Sequence, residues 1–80
     1  GEIIMNESNM KQIKENILKK TKGVFLNKGL IRIEGEVGKD KKWDIFCIKS
    51  EEFSNEQDFI KEVEETIDKI QGAIAWKPII

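Results

Sequence analysis

The chain has no histidine and no tyrosine, and only one cysteine, one proline and one arginine. Without histidine, the usual general base near neutral pH is missing, and so is every Ser-His or Cys-His nucleophile pair. A structural zinc site wants four Cys or His ligands, and the chain offers Cys47 alone. A lone cysteine closes no internal disulfide, so a domain this small fits a reducing compartment, and the cytoplasm is the expected location. No stretch approaches the roughly 18 apolar residues of a membrane span, and no signal-peptide pattern opens the sequence. Gly35 and Gly38 stand three apart with no helical pattern after them, which matches neither a P-loop nor a dinucleotide fingerprint. Catalysis would have to rest on carboxylates, lysines or Cys47. An enzyme is therefore not expected, and no cofactor or metal is implied.

What is present describes one small folded unit over residues 1–80. Hydrophobic residues make up 39% and charged residues 36%, a globular balance. A chain of this length buries only about 60% of its unfolded surface, so the core must be thin. Apolar residues at both ends, Ile3-Ile4 and Ile79-Ile80, suggest either that the ends pair or that the chain was cut from a longer protein.

Periodicity predicts a helix from Asn9 to Lys22, with Met10, Ile13, Ile17 and Leu18 on one face. Asn9 caps it, with Gln12 three residues on, and Gly23 stops it. A short strand at Val24-Phe25-Leu26 is expected to end in an Asn27-Lys28-Gly29 turn. A second strand alternates from Leu30 to Val37, and a third runs from Trp43 to Lys49. Ser54-Asn55-Glu56-Gln57 is a capping box for a second helix, whose stripe is Phe59, Ile60, Val63, Ile67 and Ile70 and whose stop is Gly72. Ala73 to Lys77 reads as a final strand, with Ile74 and Trp76 inward and Pro78 marking an edge. The expected fold is α+β: an antiparallel three- to four-stranded sheet with two helices on one face, in the order α-β-β-β-α with one more strand.

A five-residue loop, 38–42, would set Val37 opposite Trp43. Ile31, Ile33, Val37, Trp43, Ile45 and Cys47 would then share the core face. Arg32, Glu34, Glu36, Asp44, Phe46 and Ile48 would lie on the other, leaving Phe46 and Ile48 as apolar residues on an outer surface. Glu36 would sit opposite Asp44 with Glu34 beside them, and Lys49 follows on the next strand. That arrangement echoes a nuclease acid, acid-x-Lys pattern, but Cys47 stands where the metal needs a second acid.

Charge is unevenly spread. Residues 1–42 carry ten basic and six acidic groups, a balance of +4, and residues 43–80 carry four and nine, a balance of −5. The expected function is a non-catalytic protein-interaction domain, an adaptor, subunit or inhibitor, acting through a charged surface. Glu56, Glu62, Glu64 and Glu65 would steer towards a basic partner, with Phe46 and Ile48 as the apolar contact. Self-association is a variant of the same reading. The rival class is nucleic-acid binding through Lys11, Lys14, Lys19 and Lys22 of the first helix and Lys39, Lys41 and Lys42 of the loop. The element order suits a double-stranded-RNA-binding module, but the second helix opens with acids where phosphates would dock.

Overall fold

The computed structural model describes residues 7–80, with side chains from residue 10 onward. The expectations for Ile3 and Ile4, and for the side chain of Asn9, lie outside the described residues. The elements are α1 (Glu7–Leu26), β1 (Leu30–Val37), β2 (Lys42–Lys49), a 3-10 turn (Ser50–Glu52), α2 (Glu56–Asp68) and β3 (Ile70–Ile79). The strands form one antiparallel sheet in the order β2-β1-β3. This is an α+β fold with three strands and both helices on one face.

Three details of the expected order change. Asn9 lies within α1 rather than ahead of it, and the helix does not stop at Gly23. It continues through Val24-Phe25-Leu26, so the expected first strand is the last turn of α1. The reason is a better stop signal downstream. The Gly29 N–H donates to the Val24 carbonyl at 2.9 Å, and the Lys28 N–H to the Phe25 carbonyl at 3.2 Å. Lys28 holds a left-handed φ of 56°. This is a Schellman motif, and Asn27-Lys28-Gly29 is a helix stop rather than a hairpin turn. Gly29 is required there, because a Cβ would meet the Ile79 carbonyl oxygen.

At the other helix the cap is Asn55, one residue after the Ser54 that opens the expected box, its side chain accepting the Asp58 N–H at 2.9 Å. The Asn55 side-chain amide also donates to Asp58 Oδ2 at 3.1 Å, so the cap engages Asp58 rather than Gln57. α2 ends at Asp68, four residues before Gly72, and Ile70 already belongs to β3.

The core is the layer between the helices and the sheet. Ile17 and Val24 of α1, and Phe59, Val63 and Ile67 of α2, close over Ile31, Ile33, Ile48, Ile70 and Ile74. Phe59 is the centre of an aromatic run, with Phe25 at 5.9 Å and Phe53 at 5.6 Å between ring centroids. Polar groups inside the layer are satisfied locally: Thr21 and Thr66 hydroxyls donate to the carbonyls of Ile17 and Glu62, each at 2.8 Å. A bulge between Gly35 and Val37 shifts the β1–β3 register. There the Glu36 carboxylate accepts the Ala73 N–H at 2.9 Å, supplying a bond the ladder loses.

Lys28 pays for its left-handed conformation without a side-chain contact that would need a lysine. Replacing Lys28→Gly is expected to raise stability by about 0.5–1 kcal/mol, measured as a higher midpoint in urea unfolding. A fall in the midpoint would contradict the Schellman stop.

Candidate functional site

The turn between β1 and β2 decides what the open face presents. Lys42 belongs to β2 and pairs with Val37, so the loop has four residues, 38–41, not five. Gly38 (φ 79°) and Lys41 (φ 50°) supply the left-handed positions, and the Lys41 N–H reaches the Gly38 carbonyl at 3.3 Å. A shift of one residue turns every β2 side chain to the opposite face. Phe46 and Ile48, expected on the outer face, point to the helices instead. Ile48 is 7% exposed, and Phe46 lies under the Lys69 ammonium at 5.7 Å. Trp43, Ile45 and Cys47, expected in the core, face outward.

The outer face therefore has three rows. β2 contributes Trp43, Ile45, Cys47 and Lys49. β1 contributes Leu30, Arg32, Glu34 and Glu36, and β3 contributes Ala73, Ala75, Lys77 and Ile79. Among the described residues, no helix covers this side. Trp43 and Ile45 are each 50% exposed and Ile79 is 43% exposed. At the centre, the Arg32 Nε stands 3.0 Å from Glu34 Oε2, while Trp43 Nε1 donates to Glu34 Oε1 at 3.0 Å. The Arg32 Nε–H points off the line to its carboxylate. It is buried and lacks an in-line acceptor, so the short distance marks an ion pair rather than a formed hydrogen bond.

At the Gly29 end of the sheet, the face runs into a shallow groove of about 270 Å³ lined by Lys28, Leu30, Lys49, Glu51, Ile79 and Ile80. Ile80 in its lining is 75% exposed, and Leu26, the last residue of α1, is 76% exposed.

The residues singled out from the sequence are dispersed. Glu62 and Glu64 are two apart on α2, hence about 200° around the helix from each other, so the four acids do not share a face. Glu65 is exposed, while Glu56, Glu62 and Glu64 are half-buried on the flanks. The lysines divide between the two ends of the molecule. Lys14 pairs with Asp68 at 3.1 Å, which places the start of α1 beside the end of α2 and the start of β3. Lys22 lies at the other end of α1, about 16 Å from Lys11 along the axis. Lys39 and Lys41 are exposed in the loop, and Lys42 pairs with Asp40 at 3.7 Å. The Lys14–Asp68 pair joins the basic helix to the acidic one, and such a surface contact contributes about 0–1 kcal/mol.

Glu36 is opposite Trp43 rather than Asp44, and Asp44 lies on the helix side of β2. Among the described residues, no group of three Asp, Glu, Cys or His side chains could hold a metal ion. Also among the described residues, no helix is long and apolar enough to cross a membrane. Comparison with protein-family models, curated protein sequences and solved structures gave no match.

The face assignment has a direct check. At low protein concentration, Ile45→Lys is expected to change unfolding free energy by no more than about 0.5 kcal/mol, as exposed positions do. Ile48→Lys buries a charge against the helices and is expected to leave the chain largely unfolded by circular dichroism. The opposite ranking would restore the five-residue loop.

Proposed function

We propose that the chain is a non-catalytic protein-interaction domain whose contact surface is the uncovered face of the sheet. The observation that carries this reading is the row Trp43, Ile45 and Cys47 along β2, flanked by Arg32 and Glu34 on β1 and with Ile79 at the Leu30–Lys49 end of the same face, over which no helix lies among the described residues. A small domain with a thin core gives up stabilisation when it leaves a tryptophan and two isoleucines half in water. A second protein surface recovers that energy. Tryptophan and arginine are also the side chains that most often dominate binding energy when a partner seals them from solvent. The Arg32 side chain is 44% exposed beside Glu34, and a guanidinium carries several donors suited to a partner's carboxylate or carbonyl.

The charged-surface component becomes secondary in this reading. The acids of α2 supply a general field favouring basic partners, not a shaped contact, because Glu56, Glu62, Glu64 and Glu65 are spread around the helix. The cytoplasm remains the proposed location, supported by one exposed free cysteine, Cys47.

Affinity capture from the source cells with the parent chain and a Trp43→Lys/Ile79→Lys double variant tests the proposal. The parent is expected to retain a protein partner that the double variant loses by at least about tenfold. Equal capture by both would reject the face as the contact surface. Binding to duplex or single-stranded probes that weakens steeply with salt, and is lost on charge reversal at Lys11, Lys14 and Lys19, would favour nucleic acid instead.

A further inference from the structure

The sheet has two edges, β2 on one side and β3 on the other, and they are not equivalent. In an antiparallel ladder every second residue of an edge strand turns its N–H and C=O away from the sheet. The Ser50 N–H donates to the Gly29 carbonyl at 3.0 Å, one step beyond the Leu30–Lys49 pair, and this fixes the phase. Ile31–Ile48, Ile33–Phe46 and Gly35–Asp44 are then the bonded pairs. Trp43, Ile45, Cys47 and Lys49 present their N–H and C=O groups outward. Ile45 bears this out, since its N–H is met by the side chain of Asp44, at 3.1 Å to Oδ1.

The same count on the other side makes Leu30–Ile79, Arg32–Lys77 and Glu34–Ala75 the bonded pairs. β3 therefore turns Ile74, Trp76 and Pro78 outward. Pro78 has no N–H, so the outward row of β3 lacks a donor near its end. β2 has no proline and no bulge in its pairing with β1 over eight residues. Such an edge is a template for another strand.

We propose that the edge of β2, unpaired among the described residues, pairs with β2 of a second copy, antiparallel, about a two-fold axis at Phe46. This rests on the reading above, that the chain works through contact with protein surfaces, and names a second copy as one partner. The choice of occupant follows from self-complementarity. With the axis at Phe46, Trp43 falls opposite Lys49 of the second copy and Ile45 opposite its Cys47, so outward backbone groups meet outward backbone groups. The Lys49 ammonium then lies beside an indole ring, a favourable cation–π placement, and no like charges are opposed. An axis at Ile45 would instead set Lys49 against Lys41. Pro78 at the opposite edge favours closure at two copies over an extended filament. The Asp44 carboxylate competes with the dimer, because it holds the Ile45 N–H that the second strand needs.

Sedimentation equilibrium and amide hydrogen exchange by NMR, across a range of concentrations, test the proposal. The expected result is a reversible dimer in which the amides of Trp43, Ile45, Cys47 and Lys49 slow by at least about tenfold as concentration rises. The amides of Asp44, Phe46 and Ile48, already bonded to β1, should not respond. Ile45→Pro removes an outward N–H while sparing every bond to β1, and should give a folded monomer. If that variant does not fold, Ile45→Lys serves in its place, and Asp44→Ala should shift the equilibrium towards dimer. A chain that stays monomeric at every concentration overturns the inference, as does a dimer whose outward amides remain fast. Either result leaves the proposed function standing if the Trp43→Lys/Ile79→Lys variant still loses a captured protein. A dimer with the protected pattern, joined to equal capture by parent and double variant, would reject that function and keep the edge.

Discussion

The pairing of Val37 with Lys42 is the constraint on which the rest of the molecule depends. Strand side chains alternate with a period of two, so the length of this one turn decides which half of β2 enters the core. With four loop residues, Ile48 and Phe46 meet α2, and the helices close over an unbroken isoleucine layer. The same choice exposes Trp43, Ile45 and Cys47. Core and open surface are therefore two consequences of one loop length, and neither can change without the other.

Much of the architecture was legible because local signals agreed with one another. The capping signal of Ser54-Asn55-Glu56-Gln57, the acids in the first turn and the stripe of Phe59, Val63 and Ile67 all point to one helix, and α2 forms there with its cap one residue later, at Asn55. β1 was legible from strict alternation over Leu30 to Val37. β2 offered no such guide. Lys42, Trp43, Asp44, Ile45, Phe46, Cys47, Ile48 and Lys49 include apolar residues at both odd and even positions, so alternation could not choose a face. The face of β2 therefore depends on the loop, and a loop that includes Lys42 gives the opposite face from the one the Val37–Lys42 pair sets. The observed register places Lys42 and Asp44 on the helix side of β2, and both remain exposed there.

The end of α1 shows a different kind of ambiguity. Gly23 and Gly29 both follow lysine, and either is an acceptable helix stop by composition. Val24, Phe25 and Leu26 have strand-like character, which favours the earlier one. Tertiary packing favours the later one, because continuing the helix carries Val24 into the core and sets Phe25 against Phe59. Gly29 is also the only one of the two pressed against another strand, at the Ile79 carbonyl. That information is spatial, and it depends on where β3 ends.

The candidate surface was the least legible feature because it is a remainder, defined by what the helices leave uncovered. Sequence patterns identify charged residues easily, yet the lysines of α1 and the acids of α2 are adjacent elements of one layer, joined by Lys14 and Asp68. Their opposite signs are accounted for in part by that neighbourhood. The outer sheet face has no comparable internal partner. Among the described residues its charged couple is Arg32 and Glu34, which sits within a surface bounded by Trp43, Ile45 and Ile79 and leaves the Arg32 Nε–H poorly directed. A thin domain with helices on only one side must leave the second sheet face to solvent or to a partner. The apolar residues placed there, and the single proline placed at only one of the two edges, are the features on which the proposed contacts rest.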